Sequence, residues 1–242
     1  MLAIFQKEIG GFFNSLVAYI VIAVFLVAVG LIVWVFPDSN VLDYGYADLA
    51  SFFYLTPYVL LFLIPAVTMR SFSDEIKSGT LELLVTKPIS IWNLVLGKFL
   101  AGWALVLITL LPTILYFYSI YQLGNPVGNV DSAAVFGSYI GIVLLSGTLV
   151  SFGILASSLN DNQIVGFVLA VFIGFLWYIG FGAVASLFGN GFTANLFSWL
   201  ALDMQYRTLG IGLIDLGSVV YQSSLILFFL YLTHLRVKAI CS

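Results

Sequence analysis

Long uncharged stretches separate the charged residues of this chain and indicate where its helices lie. Six such stretches occur, at residues 9–37, 49–69, 99–130, 132–160, 162–202 and 216–233. A helix needs about 20 apolar residues to cross the hydrocarbon core of a bilayer. Five of the stretches suit one crossing each. The pattern therefore predicts membrane spans at 16–36, 51–69, 99–121, 135–157 and 216–234, and at least one more in the remaining stretch.

The stretch at 162–202 is long enough to hold one span or two. Gly189-Asn190-Gly191 divides it, which leaves a span at 164–187 and a piece, Phe192–Leu202, that is too short to cross. We predict that this piece is a re-entrant or interfacial helix. The expected fold class is an all-α polytopic membrane protein with six transmembrane helices, in which residues 1–242 form a single membrane domain.

The distribution of charge predicts the orientation of the chain. One side of the predicted bundle collects seven of the eight basic residues, namely Lys7, Arg70, Lys77, Lys87, Lys98, Arg236 and Lys238. By the positive-inside rule this side is cytoplasmic, and with six spans both termini lie there. Residues 1–15 mix large apolar side chains with Gln6, Lys7 and Glu8, so they are predicted to form an interfacial helix before the first span.

Composition and missing motifs exclude a soluble domain and the common catalytic, metal and nucleotide sites. With 62% hydrophobic residues, 8% charged residues and a mean hydropathy of +1.14, a soluble domain is excluded. His234 is the single histidine, which rules out a histidine-rich metal or haem site. Gly97-Lys98-Phe99 resembles the end of a phosphate-binding loop, but Trp92 replaces the first glycine of that motif. We therefore predict no catalytic, metal or cofactor site, and no enzyme activity, in this chain.

Residues 70–98 form the one sizeable predicted cytoplasmic loop, and this loop carries both charged and large apolar residues. Ser71–Ser78 can extend the second span as a short charged helix, and Gly79 suits a left-handed cap after it. A further turn or two can run over Thr80–Thr86. Pro88 ends this piece, and Ser90 can cap the helix that leads into the third span. A short rigid helix with acidic residues on its surface is typical of a site that meets another protein.

The same loop resembles a known family. The run Arg70-x-Phe72-x-x-Glu75-x-x-x-Gly79-Thr80-Leu81-Glu82-Leu83-Leu84, followed by Lys87-Pro88-Ile89-Ser90 and Gly97-Lys98, is similar to that of ABC-2 type transporter permeases. Lys7-Glu8 near the start and Arg207-x-x-Gly210 before the last span extend the likeness along the chain. Within the family, the permease of the gliding-motility ABC transporter of Bacteroidetes is the most similar, and the permeases of nitrous-oxide-reductase maturation are less so.

The resemblance implies an architecture and a set of partners. The family has six spans, an N-terminal interfacial helix, a cytoplasmic coupling helix after the second span and two short re-entrant helices before the sixth. The coupling helix docks on a separate nucleotide-binding ATPase subunit, which holds the ATP and magnesium. A second permease, or a larger membrane subunit, completes the transporter as a homodimer or heterodimer in the bacterial inner membrane. No nucleic acid is expected as a partner.

By the same resemblance, the docking contacts are expected within Ser73–Leu84 of the loop at 70–98. The residues assigned to them are Asp74, Glu75, Lys77, Gly79, Thr80 and Glu82. A membrane scaffold subunit that transports nothing would share all of these features and remains an alternative. The cargo and the direction of transport are open, because the short outer loops carry no ligand signature.

Overall fold

The computed structural model of the chain describes residues 1–37, 40–42, 48–81, 90–189, 191–210 and 215–240, and their regular structure is helical. The first helices are α1 (Leu2–Asn14), α2 (Val17–Trp34), α3 (Ala50–Thr68), α4 (Arg70–Lys77), α5 (Ile91–Leu110), α6 (Ile114–Leu123) and α7 (Ser132–Leu159). They are followed by α8 (Gln163–Phe175), α9 (Phe181–Leu187), α10 (Phe192–Leu200), α11 (Leu202–Gly210) and α12 (Leu216–Ile240). A 3-10 turn, Leu111–Thr113, joins α5 to α6, and a π-helical turn, Leu176–Gly180, joins α8 to α9.

The predicted all-α fold with six candidate spans is confirmed. In the described residues, the helical segments long and apolar enough to cross a membrane are Val17–Trp34, Ala50–Lys77, Ile91–Leu123, Ser132–Leu159, Gln163–Leu187 and Leu216–Ile240. The second and third segments extend furthest beyond the predicted spans. The second runs on through α4, and the third begins at Ile91 because the Ser90 hydroxyl accepts the Asn93 N–H at 3.2 Å and starts the helix there.

Helix α7 lies at the centre of the bundle. In its most apolar stretch 83% of the residues are buried, compared with 22 to 28% in α2, the α8–α9 segment and α12. Helices α3, α8, α11 and α12 pack around α7. The peripheral helices expose large apolar side chains such as Ile20, Val27 and Leu227, as expected for surfaces that face lipid.

Small residues on α7 allow the neighbouring helices to approach closely. At Gly153, a Cβ atom would lie only 1.9 Å from the Thr68 Oγ1 of α3. At Gly141, it would lie 2.9 Å from the Tyr206 ring of α11. Close packing of this kind is how helices associate within a bilayer, where the hydrophobic effect adds little between them.

Prolines interrupt the hydrogen bonding of two spans. Pro57 and Pro65 lie inside α3, and Pro112 lies in the 3-10 turn between α5 and α6. Two threonines of α3 bond back to carbonyls within the helix: Thr56 to Phe52 at 2.7 Å and Thr68 to Ile64 at 2.9 Å. Pro57 has no N–H to donate to the Phe53 carbonyl four residues earlier, and the Tyr206 hydroxyl donates to that oxygen at 2.8 Å instead, so a neighbouring side chain satisfies the freed carbonyl, as membrane helices require.

Two short helices, α10 and α11, precede the last span. The short helix predicted over Phe192–Leu202 is present as α10 (Phe192–Leu200), and the extended backbone at Ala201 separates it from a second short helix, α11. The arrangement of two helices is the one the family resemblance implied. The Tyr206 hydroxyl of α11 donates to the Phe53 carbonyl at 2.8 Å and joins α11 to the start of α3. Whether α10 and α11 re-enter the membrane stays a prediction.

Candidate functional site at the end of the second span

Helix α4 has an anchored side and an exposed side. Phe72 and Ser73 are buried, and the Ser73 hydroxyl donates to the Ser157 carbonyl near the end of α7 at 3.0 Å. The Asp74 carboxylate accepts a hydrogen bond from the Gln163 side chain at the start of α8. The helix is thus held firmly by the bundle on one side.

The exposed side of α4 ends in a tight turn. We name as the α4 tip the exposed residues Asp74, Lys77, Gly79 and Thr80. Gly79 has a φ of +65°, the left-handed conformation predicted for it, and its N–H bonds to the Ile76 carbonyl at 3.2 Å. The Ser78 hydroxyl caps the Asp74 carbonyl at 2.7 Å, so the turn has its own hydrogen bonds. The α4 tip is therefore a short, ordered projection.

Behind the α4 tip lies a cluster of four charged side chains from three helices. We name this the charge cluster: Lys7 and Glu8 of α1, Glu75 of α4 and Lys98 of α5. The Lys98 side chain is 2% exposed. Its Nζ donates to Glu8 Oε1 at 3.0 Å, to Glu75 Oε1 at 2.9 Å and to the Ser71 carbonyl at 2.6 Å.

This geometry satisfies the buried ammonium group. A lysine has three N–H donors, and Lys98 uses all three. The Phe72 ring lies 5.1 Å from the same Nζ and adds a cation–π contact. Lys7 lies 3.3 Å from Glu75 Oε1 and 3.6 Å from Glu8 Oε1, so the two lysines balance the two glutamates. The cluster is neutral as a whole and joins α1, α4 and α5.

The two lysines differ in what they contribute. Lys7 is 62% exposed, and ion pairs of exposed lysines contribute little to stability. Partial burial acts to lower the pKa of Lys7, but Glu75 and Glu8 outweigh it, so the pKa is raised and the side chain stays protonated. Lys98 is the buried cation on which the two carboxylates depend, because removing one member of a buried pair leaves a charge without its partner.

Helix α1 reaches the cluster by packing against α5. A Cβ atom at Gly97 would lie 2.8 Å from the Ile4 Cγ2, so the glycine leaves room for the α1 side chain. Ile4 is buried, whereas Leu2 and Lys7 are exposed. The amphipathic helix predicted over residues 1–15 is therefore present, and its location at a membrane interface stays a prediction.

The structure separates the residues that were predicted to dock a partner. Asp74, Lys77, Gly79 and Thr80 lie at the α4 tip, and Glu82 falls outside the described residues. Glu75 does not face outward: its side chain is 12% exposed and its Oε1 is bonded to Lys98. Docking through any of these residues stays a prediction, but the contacts of Glu75 lie within the chain.

Sequence reasoning missed Lys98 and Glu8. A signal for Lys98 was present, because a helix that starts after the Ser90 cap places this lysine two turns inside α5, beside the apolar run of the third span. A basic residue at that depth needs an acidic partner. In the described part of the chain, no three His, Cys, Asp or Glu side chains come close enough together to hold a metal ion.

Gly79 allows a direct test of the turn. Exchange of Gly79 for valine is expected to destabilise the turn by about 1–2 kcal/mol, because a β-branched side chain disfavours a positive φ. No atom lies within 4 Å of the added Cβ, so the cost comes from the backbone alone. The measurement is the rate of limited proteolysis after Lys77. Gly79→Asn is the matched control and should resemble the parent protein, since asparagine tolerates this conformation. Equal proteolysis of the two variants would contradict the role given to the left-handed turn.

Comparison with known proteins identifies the family. A search of curated proteins gives no match. The family model described as ABC-2 family transporter protein matches residues 38–236, which include α4, the α4 tip and almost all of the last five spans. The chain therefore belongs to the ABC-2 family of transporter proteins, as a membrane-embedded permease subunit of the kind that works with a separate ATPase subunit.

Proposed function

We propose that this permease couples ATP hydrolysis in a nucleotide-binding subunit to export or mechanical work across the inner membrane, and that the α4 tip is its docking element. The observation that carries the proposal is the contrast within α4. One side presents exposed Lys77 and Thr80, and the other is fixed by buried hydrogen bonds and ion pairs. A coupling element needs both an accessible contact and a rigid attachment.

The attachment extends to several helices at once. Glu75 links α4 to α5 through Lys98, and Lys98 links both to Glu8 of α1. On the opposite side, Ser73 bonds to α7 and Asp74 to α8. Movement of α4 would therefore be passed to four neighbouring helices through short contacts, rather than being absorbed by a loose loop.

The resemblance of the loop supports a finer assignment. We place the chain in the gliding-motility type of ABC-2 complex, paired with a second permease or a larger membrane subunit, with both termini in the cytoplasm. The bias of basic residues toward the side that holds α4 and both chain ends supports this orientation. A permease of the nitrous-oxide-reductase maturation type is the alternative within the family, and a scaffold that moves no cargo is the alternative outside it.

Site-specific crosslinking tests the docking element. A photoreactive amino acid replaces Thr80, and the crosslink is formed in native membranes. We expect it to capture an ATPase subunit, because Thr80 is exposed at the α4 tip. Val127 is the matched control: it is 62% exposed in the loop between α6 and α7, on the opposite side of the predicted bundle. Capture of the ATPase from Val127 alone, or from neither position, would contradict the proposal.

The same crosslink distinguishes a coupled permease from a scaffold. In a coupled permease, trapping the ATPase with ATP and vanadate should change the yield at Thr80 by several-fold, because closure of the ATPase moves its docking groove. In a scaffold, the yield should stay the same in all nucleotide states. An unchanged yield, measured while the ATPase is shown to be trapped, would favour the scaffold.

A further inference from the structure

A cavity of about 550 Å³ lies beside the charge cluster, between α1, α2 and the α3–α4 segment. Its two ends differ in character. Charged side chains surround one end, among them Lys7, Arg70, Asp74 and Glu75. The other end is apolar and is formed by Val17, Ile20, Val21, Ala66 and Val67. We call it the headgroup cavity, because its charged end and its apolar end match the polar headgroup and the acyl chain of a lipid.

The apolar end opens toward the bilayer. Ile20 lines the cavity and is 56% exposed, and it belongs to the face of α2 that also exposes Val24 and Val27. Since only 28% of the α2 span is buried, this helix lies at the edge of the bundle. An acyl chain can therefore enter from the side, between α2 and α3, without leaving the membrane.

The charged end favours a particular headgroup. Three basic side chains, Lys7, Arg70 and Lys98, face three acidic ones, Glu8, Asp74 and Glu75. A purely anionic headgroup would meet the carboxylates as well as the bases. A zwitterionic headgroup offers a charge of each sign, and its phosphate suits a guanidinium group.

Unused polar groups at this end suit such a headgroup. Arg70 is exposed and forms no ion pair with any residue that the structure describes. Within the same described part of the chain, Glu75 Oε2 is buried and has no hydrogen-bond donor. Buried polar atoms are normally satisfied, so this carboxylate has the capacity to accept one more hydrogen bond. A primary ammonium group donates three hydrogen bonds, whereas the trimethylammonium group of choline donates none.

We propose that the headgroup cavity binds phosphatidylethanolamine from the leaflet nearest α4. The phosphate pairs with Arg70 and Lys7, the ammonium group lies against Asp74 and Glu75, and one acyl chain follows Val21, Ala66 and Val67. The bound lipid would join α1, α2 and α4 at the base of the α4 tip. This site does not depend on ATP coupling, so its test and that of the proposed function are independent.

Native mass spectrometry of the purified full-length chain tests the proposal. Phosphatidylethanolamine, phosphatidylcholine and phosphatidylglycerol with identical acyl chains are titrated separately. The ethanolamine lipid is expected to bind about tenfold more tightly than either of the others, which is the effect of one charge-assisted hydrogen bond. Equal or tighter binding of the choline or glycerol lipid would overturn the headgroup assignment.

Two variants locate the site. Arg70→Gln is expected to weaken ethanolamine-lipid binding about tenfold. Arg236→Gln removes another exposed arginine, at the end of α12 and outside the cavity, and should leave binding unchanged. Asp74→Asn should reduce the preference for ethanolamine over choline, because it removes the charge that attracts the ammonium group. Equal effects of Arg70→Gln and Arg236→Gln, or an unchanged headgroup preference in Asp74→Asn, would overturn the proposed site.

Discussion

Replacement of Lys98 by methionine is expected to lower the free energy of unfolding by about 3–5 kcal/mol, the usual cost of removing one partner from a buried ion pair. Methionine fills similar space but cannot donate to Glu8, to Glu75 or to the Ser71 carbonyl. Two largely buried carboxylates would then keep only the exposed Lys7 as a cationic partner. Denaturant unfolding in mild detergent measures the loss.

Two further variants decide whether charge is the cause. Lys77→Met removes an exposed lysine at the α4 tip and should change stability by no more than about 0.5 kcal/mol. The triple variant Lys98→Met, Glu8→Gln, Glu75→Gln should recover most of the stability, because the one charge left in the cluster is that of Lys7, whose side chain is 62% exposed to water. If Lys98→Met behaves like Lys77→Met, the charge cluster does not stabilise the fold. If the triple variant stays as unstable as Lys98→Met, packing rather than charge accounts for the loss.

Exchange of Gly153 for alanine is expected to cost about 1–3 kcal/mol, the usual range for overpacking, and the contact distances place it at the upper end. The added methyl group would lie 1.9 Å from the Thr68 Oγ1 and 2.8 Å from its Cβ. Rotating the Thr68 side chain cannot relieve the second contact, so α3 and α7 must separate. The loss is measured as a lower midpoint of unfolding in detergent.

Gly182→Ala is the matched control, since it adds the same methyl group to a helix but meets its nearest neighbour, the Ala201 Cβ, at 3.7 Å. Alanine favours a helix over glycine, so this variant should be neutral or slightly stabilised. Combining Gly153→Ala with Thr68→Ala should restore part of the stability by removing the hydroxyl and one methyl group. Equal stability of Gly153→Ala and Gly182→Ala would show that α3 and α7 do not approach as closely as described.

The spans could be predicted from the sequence because the bilayer imposes a one-dimensional rule. The length of a run of uncharged residues decides whether it can cross the bilayer. Each of the six helical segments in the described residues overlaps a predicted span. A helix cap and a turn conformation could also be predicted. Ser90 caps α5 and Gly79 adopts a positive φ, and both outcomes depend only on near neighbours along the chain.

The charge cluster could not be predicted in the same way, because its members are far apart in sequence. Glu8, Glu75 and Lys98 meet only after α1 packs on α5 and α4 continues α3. Helix α4 has eight residues, about two turns, so the sequence pattern does not decide which of Asp74 and Glu75 faces inward. Both were therefore expected at a partner's surface, and only the packing of Phe72 and Ser73 turns Glu75 toward Lys98.

The continuity of α3 and α4 makes the second span a lever. The segment Ala50–Lys77 has 28 residues and is therefore about 42 Å long at the rise of an α-helix. Its far end carries Phe53, whose carbonyl receives the Tyr206 hydroxyl of α11. If the lever is rigid, a tilt of about 5° at one end moves the other by about 4 Å, from the same helical rise. Pro57 and Pro65 determine how much of the tilt reaches the other end of the segment, because a helix bends more easily at a proline.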